Sequence, residues 1–123
     1  MIIIESVNYI GQTVSNLENS IKFYKELFDF EVIEKISTSG QAFIKMGDII
    51  IGLFEVPGYK CSPDAKSRIS FFMDEEDFED ALEELETEKI KIVYGPENIR
   101  NGRTVVFLDP DGNQIELSYP LIG

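Results

Sequence analysis

Two different hydrophobic spacings alternate along this chain and predict its first five elements. Apolar residues three and four positions apart indicate one helix, whose buried stripe is Leu17, Ile21, Tyr24 and Leu27 or Phe28. Ser15 and Glu18 form a capping box ahead of this stripe, so the helix is predicted to begin there. Runs that are β-branched or alternate in polarity predict strands over residues 6–14, 31–37, 41–46 and 48–55.

The second half of the chain repeats this order. Acidic residues from Asp74 onward open a second helix with the apolar stripe Phe78, Ala81 or Leu82, and Leu85. Strands are predicted over residues 68–73, 89–94, 103–108 and 114–119, the last two joined by the Pro/Gly turn at 109–113. We therefore expect an α+β fold of two tandem βαβββ modules, in which each helix covers one face of a sheet and the other face is buried or forms a cleft.

Length and linker composition indicate one domain. A chain of 123 residues has ordinary single-domain size, and the Pro/Gly-containing stretch at 57–66 is its only linker-like passage. Module one is expected over residues 1–56, a connector over 57–66 and module two over 67–123.

The net charge limits the class of partner. At −12, the chain repels nucleic acid and anionic membrane surfaces, so neither is expected as a partner, whereas a cationic small molecule is favoured. No stretch approaches the length of a transmembrane helix. The single cysteine, Cys61, excludes an intrachain disulfide and fits a reducing compartment, so a cytoplasmic protein is expected.

Strand alternation collects polar and aromatic side chains on one face of the predicted strands. If each strand is regular, the opposite face carries apolar residues suited to packing against helices, such as Ile51 and Ile115. Ligand pockets commonly combine apolar walls with a few convergent polar groups. The polar and aromatic face includes Gly52, and its side chains are the candidate ligand-binding residues: Tyr9, Phe54, Arg68, Ser70, Glu116 and Ser118.

Five segments together resemble the vicinal oxygen chelate superfamily, which groups glyoxalase I, bleomycin-resistance proteins and extradiol dioxygenases. They are residues 14–24, 30–32, 69–71, 102–103 and 107–117, in the order that this superfamily shows. The resemblance implies that the two βαβββ modules form an open, cup-shaped mixed sheet with the helices outside, usually completed in a homodimer. A homodimer is therefore expected.

In metal-dependent members of that superfamily, the cup holds a divalent ion on four strand positions, commonly His and Glu. By resemblance, these positions fall on Tyr9, Gly52, Arg68 and Glu116, and the chain contains no histidine. Transition metals favour imidazole or several anionic ligands, and the permanent charge of Arg68 repels a cation. Neither a metal nor another cofactor is expected.

Three functions remain open for such a site. The first is a metal-independent protein that binds a small aromatic or cationic molecule in the cup, as the bleomycin-resistance branch does by sequestration. The second is a lyase or isomerase of glyoxalase type, with Glu116 as general base while Arg68 and Tyr9 hold a developing anion. The third is a non-catalytic dimeric interaction module without an accessible pocket. Arg68 and Glu116 pair either with each other or with a ligand.

Overall fold

The computed structural model describes residues Met1–Gly123 and divides them into two compact units. The N-terminal unit is Met1–Lys60 and the C-terminal unit is Cys61–Gly123. Their boundary falls within the stretch at 57–66 that composition singles out as a connector. Neither helix has the length and the apolar run that a membrane-spanning helix requires.

The N-terminal unit is a four-stranded mixed sheet with one helix. In chain order its elements are β1 (Ile10–Val14), α1 (Leu17–Phe28), β2 (Glu31–Ile36), a short 3₁₀ turn (Ser37–Ser39), β3 (Gln41–Met46) and β4 (Ile49–Glu55). The strand order is β1-β4-β3-β2, with β1 parallel to β4 and the other pairs antiparallel. Helix α1 packs on β3 and β4, where Leu17 and Tyr24 are buried.

The C-terminal unit repeats this plan. Its elements are β5 (Arg68–Phe72), α2 (Glu75–Thr87), β6 (Ile92–Ile99), β7 (Gly102–Leu108) and β8 (Gln114–Tyr119). The strand order is β5-β8-β7-β6, again with one parallel pair, β5 and β8. The predicted α+β fold of two βαβββ modules is confirmed.

Helix α2 covers one face of the C-terminal sheet. Phe78 is buried and meets the Tyr119 ring edge-to-face at 5.4 Å between centroids. Arg103 lies over the Phe78 ring at 4.8 Å from its centroid and pairs with Glu79. Arg103 therefore lies on the face of the sheet that packs against α2. Residues that alternate with Arg103 along β7 project from the opposite face.

The first strand and the first helix begin later than the sequence predicts. Strand β1 begins at Ile10 rather than at residue 6. The N-cap is Asn16, whose Oδ1 accepts a hydrogen bond from the Asn19 N–H at 3.0 Å, so the prediction of a Ser15–Glu18 capping box is wrong. Glu55 accepts the Leu17 N–H at 2.7 Å, a contact made across 38 residues.

Strand β6 also differs from its predicted range. It begins at Ile92 rather than Lys89 and continues through Gly95-Pro96 to Ile99. Register shifts between Ile92 and Tyr94, and between Tyr94 and Glu97, let the strand pass the proline and still pair with β7. Bulges tolerate a proline in this way because the unpaired residue donates no ladder hydrogen bond.

Candidate functional site

The face of the C-terminal sheet opposite α2 carries a set of polar side chains in register. Ser70 of β5 lies beside Glu116 of β8, and Glu116 lies opposite Val106 of β7. One row further, Ser118 lies opposite Thr104. Paired residues project from the same face, so the predicted grouping of Arg68, Ser70, Glu116 and Ser118 on one face agrees with this register.

Glu116 is the centre of this set. Its carboxylate is buried, with 6% of the residue exposed. Thr104 Oγ1 donates a hydrogen bond to Oε2 at 2.5 Å, and Arg100 Nη2 donates to the same oxygen at 3.3 Å. The Ser70 hydroxyl also bonds to this carboxylate and lies 3.4 Å from the Ser118 hydroxyl. The carboxylate therefore has a neutralising cation and hydroxyl donors within its own unit.

These partners keep the Glu116 carboxylate ionised. Burial by itself raises its pKa because the charged form is poorly solvated. Hydrogen bonds from Ser70, Thr104 and Arg100, with the charge of Arg100, outweigh that effect and hold the pKa below its ordinary value. A general base of raised pKa is not what this environment provides.

The tight turn between β6 and β7 positions Arg100. Ile99 and Gly102 are the last pair of the ladder, so the loop consists of Arg100 and Asn101 alone. Both have positive φ, 51° and 62°, as in the two-residue type I′ turn that suits a hairpin. The Gly102 Cα lies so close to β8 that a Cβ there would be 1.9 Å from the Tyr119 carbonyl oxygen. This close approach fixes the hairpin end from which Arg100 reaches Glu116.

A cavity of about 410 Å³ opens on this face of the C-terminal unit. Lys66, Arg68 and Arg100 line it together with Glu116. Its walls also include apolar side chains, among them Val93 and Val106. Three cations against one carboxylate leave the lining positively charged although the chain is strongly acidic.

Arg68 does not make the ion pair that the sequence left open for it. Glu116 pairs with Arg100 instead, and Arg68 is exposed and forms no ion pair or hydrogen bond of its own. The Arg68 guanidinium is thus available at the cavity.

The remaining predicted site residues lie in the N-terminal unit. Tyr9 precedes β1 by one residue, and its ring contacts Phe43 at 5.2 Å and Phe54 at 6.0 Å between centroids. All three rings surround Gly52, where a Cβ would approach each of them within about 3 Å. Tyr9 and Phe54 therefore belong to one aromatic cluster, which also contains Phe43.

Sequence reasoning missed Lys66, Arg100 and Thr104. Lys66 lies in the predicted connector, where no periodicity assigns a direction to a side chain. Arg100 had a usable signal, since Asn101-Gly102 is a strong hairpin marker and places its neighbour at the loop. Thr104 lies two residues after Gly102. It is the cross-strand partner of Ser118, so the two side chains project from the same face.

Comparison with known proteins shows which family and which relatives this chain is similar to. The profile of the Glyoxalase/Bleomycin resistance protein/Dioxygenase superfamily matches residues 6–117. The metallothiol transferase FosB of Staphylococcus epidermidis (strain ATCC 12228) is 34% identical over 118 residues, covering 93% of this chain and 81% of FosB. The glutathione transferase FosA of Serratia marcescens is 30% identical over 117 residues, covering 93% and 80%.

A solved structure shares the fold of this chain. It is a mutant form of the fosfomycin resistance protein FosX from Listeria monocytogenes, complexed with Mn(II) and 1S,2S-dihydroxypropylphosphonic acid. Its TM-score is 0.85 at 20% identity, with 98% of this chain and 94% of FosX covered. At this identity the likeness concerns the fold alone.

The side chains of this chain do not fit a divalent transition metal of the kind that FosX holds. Nowhere in Met1–Gly123 do three His, Cys, Asp or Glu side chains gather as a ligand set, and the sequence has no histidine. Glu116 alone offers a carboxylate, and the Arg100 guanidinium already neutralises it. A second cation at Glu116 would be repelled by Arg100 and supplied with too few donors.

Proposed function

Because this chain belongs to the Glyoxalase/Bleomycin resistance protein/Dioxygenase superfamily, we propose that it is a small-molecule-binding protein that works without a metal ion. Its ligand is an anion held in the cavity of the C-terminal unit. The observation that carries this proposal is the pairing of Glu116 with Arg100 and Thr104, which leaves Arg68 and Lys66 unpaired at the same cavity.

The charge of the lining favours an anion over the cation that net charge alone predicts. Lys66, Arg68 and Arg100 contribute three positive charges and Glu116 one negative charge. Attraction at short range inside a cavity exceeds the screened repulsion from acidic residues elsewhere, because salt attenuates charges beyond about 10 Å. The planar guanidinium of Arg68 suits the two oxygens of a carboxylate, phosphonate or sulfate.

The backbone at Arg100 supports a role beyond closing a turn. Its φ of 51° lies in the left-handed region, which costs a non-glycine residue about 1 kcal/mol. Asn or Gly would suit that turn position better. The arginine offsets this cost through its ion pair with the buried Glu116 carboxylate.

The relatives indicate which anion to test. FosX is a fosfomycin resistance protein whose structure holds a hydroxylated propylphosphonate. A phosphonate offers the oxygen geometry that Arg68 and Lys66 could engage. We therefore propose a small phosphonate or similar oxyanion as the ligand class, bound here through cationic side chains instead of a metal.

The two other predicted functions receive less support. A lyase or isomerase would use Glu116 as general base, and its lowered pKa makes it a weaker base. If such chemistry occurs, Glu116→Gln should abolish turnover while leaving binding largely intact. An interaction module without a pocket would leave the 410 Å³ cavity without a role.

The proposal includes how the protein is organised. The two units act as one domain with modules at 1–56 and 67–123, and the chain forms a cytoplasmic homodimer. Exposed apolar residues at the N-terminus, Ile2, Ile3 and Ile4, support self-association. We also propose ligand-binding roles for Tyr9 and Phe54 within the N-terminal unit, and for Ser70 and Ser118 within the C-terminal unit.

Calorimetric titration with methylphosphonate tests the anion site. Binding should be measurable in EDTA and unchanged by added Mn²⁺. Arg68→Gln should weaken it about ten- to a hundredfold, because a hydrogen bond to a charged group contributes roughly 1.5–3 kcal/mol. Lys66→Gln should weaken it by a smaller factor, since a lone exposed ammonium contributes less.

The matched control is Arg103→Gln, which makes the same substitution as Arg68→Gln on another strand of the same sheet. Arg103 pairs with Glu79 on the α2 side of the sheet, so this variant should retain methylphosphonate affinity within about twofold. Binding that requires Mn²⁺, or equal losses in the Arg68 and Arg103 variants, would contradict a metal-independent anion site.

A further inference from the structure

A row of four residues crosses the sheet of the N-terminal unit beneath three aromatic rings. Glu34 of β2 lies opposite Phe43 of β3, Phe43 lies opposite Gly52 of β4, and Gly52 lies beside Gly11 of β1. Cross-strand partners project from the same face of a sheet. Glu34 therefore shares a face with the Phe43 ring, and the two glycines form a floor without side chains.

The rings of Tyr9, Phe43 and Phe54 pack over Gly52. The Phe43 ring is nearly perpendicular to both others, at 82° to Tyr9 and 88° to Phe54. Tyr9 and Phe54 are tilted by 35°, with centroids 6.0 Å apart. A Cβ on Gly52 would lie 2.9 Å from Phe54 and 3.0 Å from Phe43 and Tyr9, so the rings occupy these positions because residue 52 has no side chain.

The rings are only partly covered. Tyr9 is 42% exposed, and Phe43 and Phe54 are half-buried. Aromatic residues in the core of this unit are far less exposed: Tyr24 is 0% exposed and Phe30 is 1% exposed. Ring surface thus remains available to a ligand on the same face as Glu34.

A β-bulge brings Glu34 to this face. Val32 pairs with Ile44, but the next paired residue is Glu34 with Phe43, which leaves Ile33 as the extra residue. In a regular ladder Ile33 would lie opposite Phe43. Bulges re-aim side chains beside functional sites, and here the result is a carboxylate beside an aromatic cluster.

The Glu34 carboxylate has no counter-ion. It is exposed and forms no ion pair or hydrogen bond, whereas its neighbour Lys35 pairs with Glu18. On the same face Lys45 lies opposite Glu31 without an ion pair between them, so two carboxylates, Glu31 and Glu34, accompany one ammonium group. A negative charge is therefore left over in the row that holds the rings.

We propose that Glu34 and the rings of Tyr9, Phe43 and Phe54 bind an organic cation carrying an alkylated ammonium group. The faces of aromatic rings attract cations through their quadrupole, and an adjacent carboxylate adds a full opposite charge. Alkyl groups on the nitrogen gain contact with the rings that a hydrated metal ion cannot. A single carboxylate is also too small a ligand set for a metal. This site goes beyond the anion cavity and lies in the other unit.

The first test compares choline with its neutral isostere 3,3-dimethylbutan-1-ol, using the full-length protein and ¹H–¹⁵N NMR titration. The two probes share shape and a hydroxyl and differ in charge. Choline should bind more tightly by at least about fivefold, the difference that a cation–π contact of roughly 1 kcal/mol produces. Amide shifts should centre on Gly11, Phe43 and Gly52. Equal affinity for the two probes, or no binding of choline, would overturn the proposal.

Two variants locate the interaction. Phe43→Leu keeps apolar volume and removes a ring face, so choline affinity should fall about three- to tenfold. Glu34→Gln keeps size and removes the charge, with an expected loss of about two- to fivefold. The matched control is Glu31→Gln, which removes a carboxylate from the same strand and face but opposite Lys45. It should leave choline affinity unchanged.

The outcome is separable from that of the anion site. Methylphosphonate binding should be the same in Glu34→Gln as in the unchanged protein, because that cavity is lined by residues of the C-terminal unit. Circular dichroism of Phe43→Leu confirms that the variant is folded before its affinity is read. If Glu31→Gln weakens choline as much as Glu34→Gln does, the effect is general charge attraction and the proposed site is wrong.

Discussion

Glu116 is a buried carboxylate whose charge is balanced inside its own unit. Arg100 supplies the opposite charge at 3.3 Å, and Thr104 supplies a hydroxyl donor at 2.5 Å. An unpaired carboxylate with 6% exposure would be costly to bury. The arginine and the hydroxyls therefore have a structural role as well as a proposed binding role, and stability measurements can separate the two.

The lowered pKa of Glu116 predicts how stability depends on pH. The folded-state pKa lies below the ordinary 4.5, so the ionised form stabilises the fold above that value and this contribution is lost as pH falls through the folded-state pKa. Glu116→Gln should cost about 1–3 kcal/mol of unfolding free energy at pH 7. Its deficit relative to the unchanged protein should shrink below about pH 4.5, which urea unfolding across pH would measure.

The control for this experiment is Glu26→Gln, an exposed residue of α1 without an ion pair or hydrogen bond. Surface substitutions of this kind stay within about 0.5 kcal/mol. A Glu116→Gln deficit that is the same at pH 3.5 and pH 7 would show that its charge is not what stabilises the fold.

Gly102 is the second residue whose identity the structure fixes. A Cβ there would lie 1.9 Å from the Tyr119 carbonyl oxygen and 2.8 Å from the Pro120 Cδ. Both neighbours belong to backbone or to a rigid ring, so the end of β7 would have to move. Gly102→Ala should cost about 2 kcal/mol or more of unfolding free energy and should also weaken methylphosphonate binding, because Arg100 is displaced with the hairpin.

Gly11→Ala is a matched control for that substitution. Gly11 also lies in a strand without a positive φ, and a Cβ there would meet Phe54 at an ordinary 3.6 Å. Its unfolding free energy should change by less than about 0.5 kcal/mol. Chemical denaturation of both variants gives the comparison, and a Gly102→Ala protein as stable as Gly11→Ala would contradict the close approach.

At the scale of elements, local patterns predicted which segments form strands and helices but not where they end. Ser15 and Asn16 are both good N-cap residues; Asn16 is the cap in the structure, and Glu55, 38 residues away, accepts the Leu17 N–H beside it. Strand β1 pairs with β4 only from Ile10 onward. Tyr9, just before it, instead contacts Phe43 and Phe54. These boundaries depend on tertiary contacts that periodicity cannot contain.

Bulges explain where the register of two predicted strands departs from simple alternation. Alternation assumes one residue per partner, and β2 and β6 both violate that assumption. The extra residue in β2 moves Glu34 to the face of the aromatic rings, and the shifts in β6 carry the strand past Pro96. Alternation correctly placed Arg68, Ser70, Glu116 and Ser118 on one face because β5 and β8 are regular. Candidate residues were thus predictable on regular strands and not on bulged strands, tight turns or the connector.

At the scale of the whole molecule, charge and apolar surface are distributed unevenly. Acidic residues fill most of α2, which carries three of them in its first turn alone. The N-terminal segment is instead a run of exposed apolar side chains: Ile2, Ile3 and Ile4 are 87%, 79% and 78% exposed. Scattered exposed apolar residues are common, whereas a contiguous run marks an interaction surface. Composition alone gave the net charge but not this separation.

That separation yields the last prediction, which concerns self-association. If the apolar run contributes to the proposed homodimer, replacing Ile3 and Ile4 together by Ser should weaken the dimer about tenfold or more, since each buried isoleucine contributes roughly 1.5 kcal/mol or more. Higher salt should strengthen the dimer of the unchanged protein, because two chains of net charge −12 repel each other and salt screens that repulsion. Sedimentation equilibrium at two salt concentrations measures both effects.

Val56→Ser, a substitution at another exposed apolar residue (51%), should leave the dimer unaffected. A monomer at all concentrations, or a dimer unchanged by the Ile3 and Ile4 substitutions, would place any self-association elsewhere on the chain.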